Sequence, residues 1–502
     1  MTDVRPNILF IQADQMTALA LKAYGNRFCH SPALDRLADT GAVFENAYCN
    51  FPLCAPSRFS MAAGQLCSQI GAFDNAAEFP AEIPTYAHHL RRLGYHTALS
   101  GKMHFIGPDQ FHGFEDRLTA DLYPADFSWV PNWSNEGKRD TNDPRSVTIS
   151  GLCSQSRQLN FDEEVTDKAV QFLQSERKPG QPFFLQVSYT HPHEPYLCRP
   201  EYWALYDDAS IAAPRVPALN DDQYDAHSKR LLQDFGMWNH KFSDDDIQRS
   251  RKAYFGSISF IDDQVNRLLD TLKQLGLDQH TAIVFTSDHG DMLGERGMWF
   301  KKHFYEPSLR VPLFVNAPWI APCRIPGPAS LVDLLPTFCD LAGDDLYHQS
   351  KEQLAGESLL PPTKDTSAFD DRIVYAEYLA EATLSPIVMV RQNHLKLVYS
   401  ETDKPLLFDL QTDPDELENL ADQSEYDHTL SHYITHIHER WDLPGLARRI
   451  VESQQRRLLI REAHRQGEEV RWNHDESPGQ KVQWYRGVGG YSEWAFDYEP
   501  VP

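Results

Sequence analysis

The chain has 502 residues, 41 % of them hydrophobic, and a formal net charge of -25. That length exceeds a single small core and gives one large domain plus a smaller one as the first expectation. The acidic balance argues against a nucleic-acid partner, since phosphate contacts need clustered Lys and Arg; an anionic substrate would need a local positive pocket. No apolar run reaches membrane-spanning length, so no membrane partner is expected. The amino terminus, MTDVRPNILFIQADQ, reads as a strand ending in a carboxylate rather than an export segment. Eight dispersed cysteines without a CxxC pair suit free thiols, so a cytoplasmic enzyme is the expectation.

In chain order, the first strand is NILFIQAD, ending at Asp14, and PALDRLADTG follows with helical spacing and a Gly stop. The stretch NFPLCAPSRFSMAAGQ places Cys54 two residues before Pro56. Proline is favoured in the first turn of a helix, so Cys54 should sit at or just before a helix amino terminus. There, backbone N–H groups and the helix dipole attract an anion and acidify a thiol. YAHHLRRLG is a further helix, and YHTALSGKMH is a strand that delivers Lys102 and His104. PFFLQVSYTHPHEP ends at His191 and His193, and TAIVFTSDHGD at Asp288 and His289. The amphipathic helices FDEEVTDKAVQFLQSE and YFGSISFIDDQVNRLLDTLKQLG lie between these runs, while 115–160 and 196–248 read as long pocket-shaping loops. Continuous apolar runs suit strands buried on both faces of a mostly parallel sheet, and ligands bind at the carboxyl edge of such sheets.

The expected fold class is therefore α/β: a large, doubly wound, mostly parallel sheet sandwiched by helices, plus a small C-terminal α+β subdomain with an antiparallel sheet. The subdomain is read from four short strands, IVYAEY, IVMVRQ, HLKLVYS and LLFDL, beyond a linker LPPTKDTSAFDDR. The expected boundaries are 1–365, 366–445, and 446–502 for a C-terminal helix and aromatic tail.

Two groups of residues carry chemistry. Asp14, Asp288 and His289 pair two hard carboxylates with a nitrogen, which suits a divalent cation, Ca²⁺ first, with Mn²⁺ or Mg²⁺ as alternatives. Gln15 adds a neutral oxygen. Arg58, Lys102, His104, His193 and Lys301 each stand at a strand end or helix start. Together they would make the positive pocket that a tetrahedral dianion or a sulfate monoester requires.

The string Cys54-Ala55-Pro56-Ser57-Arg58, closed by Gly64, resembles the signature of the formylglycine-dependent sulfatase family, part of the alkaline phosphatase superfamily. PNILFIQADQ, SGKMH, HPHEP, SDHGDMLGERGMWFKKHFYE and LFDLQTDPDELENLA resemble further segments of that family, in order and over nearly the whole chain. The resemblance implies that a maturation enzyme oxidises Cys54 to formylglycine. The hydrated aldehyde would attack sulfur and expel the alcohol, and its second hydroxyl would then release sulfate. It further implies that Asp14, Asp288, His289 and residue 54 hold the cation. Arg58 and Lys102 would orient diol and sulfate oxygens, His104 would take the proton that drives collapse, and His193 and Lys301 would neutralise the leaving oxygen. Lys301 is preferred to Lys302 because Glu306 lies five residues on, as in the family.

Two departures narrow the resemblance. Asp14-Gln15 stands where many members have two Asp, and Asp288-His289 where many have Asp-Asn. Both match the branch of choline sulfatases and phosphonate monoester hydrolases. YAEYLAEATLSPIVMVR and the segment from IPTYAHH to ADFSW resemble choline sulfatases. The substrate expected first is a small-molecule sulfate ester, choline-O-sulfate, with aryl sulfates as promiscuous substrates. The alternatives are an aryl sulfatase, a phosphonate monoester or phosphodiester hydrolase, or, in another class, a non-catalytic sulfate-ester binder. A quaternary ammonium needs an aromatic and anionic box, for which Trp129, Glu377 and the tail residues Trp494, Phe496 and Tyr498 are candidates. By the same resemblance, the tail would reach a neighbouring subunit of a homo-oligomer, a dimer or tetramer.

Overall fold

A computed structural model describes residues 5–135, 143–207, 211–344, 353–360, 366–467, 472–474 and 496–501. Nine strands form the main sheet: β1 (Asn7–Ala13), β2 (Ala42–Tyr48), β3 (His96–Gly101), β4 (Asp116–Arg117), β5 (Phe183–Ser188), β6 (Thr281–Ser287), β7 (Arg310–Val311), β8 (Leu313–Asn316) and β9 (Cys323–Ser330). Their order is β7-β2-β8-β6-β1-β5-β3-β4, and β9 also pairs with β2. The run β6-β1-β5-β3-β4 is parallel throughout. Antiparallel β8 joins it to β2.

The register of the four central strands sets the position of the site. Ala13 pairs with Ser287, Gln12 with Ser188, and Ser188 with Gly101. All four strands thus end at one level, and whatever follows each of them emerges on the same edge. Gly101 is needed for this alignment. Its φ is 106°, and a Cβ there would lie 1.9 Å from the Ser188 carbonyl oxygen, so a side chain would force β3 and β5 apart.

Alternation along β1 explains the helices on both faces. Ile8 and Phe10 enter one core with Phe59, Tyr86 and Phe338; Leu9, Ile11 and Ala13 enter the other with Phe161, Val165 and Ile258. Each face of the sheet is apolar and has to be covered. The helix Cys54–Ala63 covers the first face, and the helices Arg157–Gln171 and Asp244–Gln274 the second.

The second sheet is an antiparallel meander of β10 (Ile373–Tyr378), β11 (Ile387–Gln392), β12 (Leu395–Ser400) and β13 (Leu406–Asp409). Its inner residues Ala376, Met389 and Leu397 join the same core as Phe10 and Phe59. The helices Asp427–Arg440 and Leu443–His464 follow. Of the tail, Trp494 lies outside the described residues. The end that is described, residues 496–501, pairs with its own chain. Tyr498–Glu499 pairs antiparallel with Gln155–Ser156, Asp497 meets Arg157 at 2.6 Å, and Arg145 stands 5.0 Å over Phe496. An extended backbone end satisfies its hydrogen bonds by adding to an available strand edge, and 155–156 supplies one. Among the described residues no helix is long and apolar enough to cross a membrane.

Candidate active site

The helix Cys54–Ala63 starts at Cys54, with Pro56 in its first turn, and stops at Gly64 in a left-handed conformation with φ 63°. All ten of its residues are buried. Ser57 Oγ donates to the Asp288 carbonyl at 2.5 Å, so the helix start is tied to the loop after β6. The Cys54 sulfur lies 3.2 Å from His289 Nε2 and 3.9 Å from Asp14 Oδ1. Burial and the Asp14 charge push its pKa up, but Lys102, Lys301 and His289 outweigh them and hold it well below the usual thiol value.

Asp14 and Asp288 are fully buried and share one guanidinium. Arg58 Nη2 binds Asp14 Oδ2 and Nε binds Asp288 Oδ2, each at 2.8 Å. Lys102 Nζ also sits on Asp14 Oδ2, and stands 3.7 Å over the Tyr123 ring. The outer oxygens are thus saturated, while Oδ1 of both carboxylates faces His289 Nε2 at 3.8 Å. His289 Nδ1 donates to the Gly290 carbonyl at 3.0 Å, which leaves Nε2 as a ligand atom. Gly290 permits that turn, since a Cβ there would meet the Pro307 carbonyl oxygen at 2.0 Å.

Asp14, Cys54, Asp288 and His289 each offer one ligand atom, all within 4.8 Å of one another. Packing such groups face to face without a positive charge costs several kcal/mol. His289 registers this: burial opposes its protonation, yet Asp288, Cys54 and Asp14 push its pKa up to about 9. The donor set fits a divalent cation.

Two residues make contacts other than the expected ones. The Gln15 amide is engaged beside this centre. Its Oε1 accepts from Lys301 Nζ at 2.6 Å, and its Nε2 donates to Glu194 and Asp291 at 2.7 Å each. A left-handed backbone (φ 65°), held by the Tyr254 hydroxyl on its carbonyl, sets that direction. Arg58, expected to orient diol and sulfate oxygens, places four of its five donors on Asp14, Asp288, the Lys102 carbonyl and Ser188 Oγ. It holds the two carboxylates at their spacing.

The other residues form a wall beside the centre. Asp121 Oδ2 accepts from the backbone N–H of Met103 at 2.9 Å and of His104 at 2.7 Å, and holds His104 at φ 58°. The His104 ring lies 4.7 Å from Tyr123 and 5.6 Å, edge-on, from the half-buried Trp129. His193 Nε2 is 2.5 Å from Lys301 Nζ, with its Nδ1 on the Glu194 carbonyl. Burial opposes the charge on Lys301, but Cys54, Glu194 and Asp14 push its pKa up, so the ammonium persists. Lys302 turns away to Glu381 at 2.8 Å. Glu377, expected in the substrate box, is buried elsewhere. Its carboxylate accepts from the backbone N–H and hydroxyl of Ser68 and from Trp441 Nε1.

Sequence reasoning missed Asp121, Asp162, Tyr123 and Asp291. Asp162 takes the N–H groups of Thr190 and His191 and the His191 ring, shaping the loop that carries His193. Its signal was visible: a carboxylate on the buried stripe of a helix, between Leu159 and Val165. Asp121 carries no such pattern.

A profile described as Sulfatase matches residues 6–344, and one described as N-sulphoglucosamine sulphohydrolase, C-terminal, matches residues 294–441. The chain belongs to the sulfatase family. This sulfatase is 43% identical over 485 residues to a choline-sulfatase of Rhizobium meliloti, covering 94% of each chain. It is 29% identical to an arylsulfatase of Clostridium perfringens, over 84% of this chain and 92% of that one. Its fold matches the phosphonate monoester hydrolase of Agrobacterium radiobacter with a TM-score of 0.71 at 23% identity, covering 88% and 96% of the two chains. It is thus a sulfuric ester hydrolase by family.

Proposed function

We propose that this sulfatase hydrolyses choline-O-sulfate, with aryl sulfates as poorer substrates, at the centre built on Cys54. The supporting observation is the convergence of Asp14, Cys54, Asp288 and His289 beside a wall of cations and aromatic rings. When bound and formed, a divalent cation, Ca²⁺ by the hard-donor majority, and formylglycine at residue 54 would supply Lewis-acid charge and a hydrated aldehyde nucleophile. Asp14, Asp288 and His289 would hold the cation, and Arg58 keeps the two carboxylates at their spacing. Lys102, fixed on Asp14, faces the sulfate oxygens. Lys301 and His193 share one hydrogen bond and meet the negative charge that develops on the leaving alcohol oxygen. One such preorganised donor is typically worth about 10²–10³ in rate. His104 holds the proton removed when sulfate departs. Trp129, half-buried beside His104 and Tyr123, offers a ring face to a quaternary ammonium. The eight free cysteines support a cytoplasmic setting.

Steady-state rates on choline-O-sulfate, an aryl sulfate and an aryl phosphonate test this reading, with the mass of the residue-54 peptide measured on the same preparation. The choline ester should have the highest kcat/KM, on protein that carries the aldehyde mass. A phosphonate turned over faster than both sulfates would replace the substrate class. An unshifted mass, with ester binding but no turnover, would replace the enzyme by a binder.

A further inference from the structure

A second set of metal-ligating side chains converges at the opposite edge of the main sheet. His89 lies on the helix Tyr86–Arg92, which packs on the same sheet face as the helix Leu334–Leu341, the carrier of Cys339. Beyond that helix the chain reverses at Gly343, with φ 66°, and the Asp344 N–H donates to the Cys339 carbonyl at 2.9 Å. The reversal lays Asp344 against Cys339. One ligand atom each from His89, Cys339 and Asp344 lies within 4.8 Å of the others. Arg5, just before β1, donates to the carbonyls of Leu93 and Ala342. The cluster is therefore at the amino-terminal edge, one strand length of about 20 Å from the Cys54 centre.

We propose that His89, Cys339 and Asp344 form a zinc site that clamps these two helices together. A thiolate, an imidazole and a carboxylate are a borderline-soft set, unlike the carboxylate-rich centre around Asp14, and they suit Zn²⁺ rather than Ca²⁺ or Mg²⁺. Among the described residues three protein ligands converge, as in zinc sites that keep one position open. Arg92 Nη2 takes one Asp344 oxygen at 2.6 Å and fixes the carboxylate from outside, as hydrogen-bonded partners of metal ligands do. Cys339 and Asp344 are both buried, at 0% and 2% exposure, and the half-buried His89 marks the side from which an ion enters. Burial and the Asp344 charge push the Cys339 thiol up. Binding would break the S–H bond, release that proton to water and form the S–Zn bond. Other buried thiols have simpler surroundings: Cys67 donates to the Pro56 carbonyl and Cys29 to Ser31.

The test uses the full chain as Cys54→Ala, so that no thiolate remains at the other centre. After chelator treatment, Co²⁺ should give a thiolate-to-cobalt charge-transfer band, displaced by one equivalent of Zn²⁺. In C54A/C339S the band should vanish. In C54A/D344N and C54A/H89Q it should survive with zinc affinity lowered about tenfold or more. Should C339S not fold, the D344N and H89Q titrations decide. No band in C54A, a full-strength band in C54A/C339S, or unchanged zinc affinity in D344N and H89Q would overturn the site.

Discussion

Two buried ionic clusters in this molecule contain the same kinds of residue and do different things. Under the second sheet, Lys396 is fully buried. Its Nζ donates to the Phe304 carbonyl and to Glu306 at 2.9 Å each, and also reaches Glu416. Tyr48 closes the far side of Glu306 at 3.0 Å. A lysine stands in the middle, and all three of its donors are used. At the strand ends the arrangement is inverted. Arg58 and Lys102 stand outside, and Asp14, Cys54, Asp288 and His289 face one another. Burial of charge is common to both. The second cluster turns its ligand atoms toward one another, within 4.8 Å, with both cations outside them.

Perturbing each cluster should separate the two roles. Cys54→Ala should abolish turnover of choline-O-sulfate, by about 10⁴-fold or more, with the circular dichroism spectrum unchanged. Exhaustive chelation should remove activity to a comparable degree and lower Tm, because an ion that binds only the folded state stabilises it; re-addition of Ca²⁺ should restore the activity. Lys396→Met should reverse the pattern. It removes the ammonium that bonds both carboxylates, with Arg391 left 3.8 Å from Glu306, and should cost about 3–5 kcal/mol in urea unfolding, while kcat/KM of the folded fraction stays close to wild type. Activity lost by K396M at full stability would erase the distinction. A smaller effect is expected at Trp129→Ala, a KM for the choline ester raised about tenfold with kcat little changed. The smallest is Glu377→Gln, about 1–2 kcal/mol of stability from weakened bonds to Ser68 and Trp441, and no change in KM.

The parts legible in the sequence were those written into local pattern. Apolar runs that end in Asp14, Lys102, His193 and Asp288 have one period and one meaning, and the parallel register places them together. Arg58 shows where that reasoning stops. Its place in the motif identifies it as important, but which oxygens its guanidinium takes depends on the ends of four strands. Glu377 fails for the same reason. It sits near a resembling segment, yet Ser68 and Trp441, distant in sequence, claim it. Asp121 was out of reach, since a loop carboxylate that caps backbone N–H groups resembles any other loop carboxylate until the loop is folded.

The burial of the Cys54 helix also bears on the order of events in the life of the protein. Every residue from Cys54 to Ala63 is inside, and Ser57 and Arg58 are bonded to the loop after β6. Under the proposed reading, an oxidising enzyme would have to grip the chain around the cysteine, and in the finished fold that stretch presents nothing to grip. Such a conversion would belong to the interval between synthesis and closure of the sheet. A molecule that folded first would keep its thiol, and the active fraction of a preparation would then record a race between two rates.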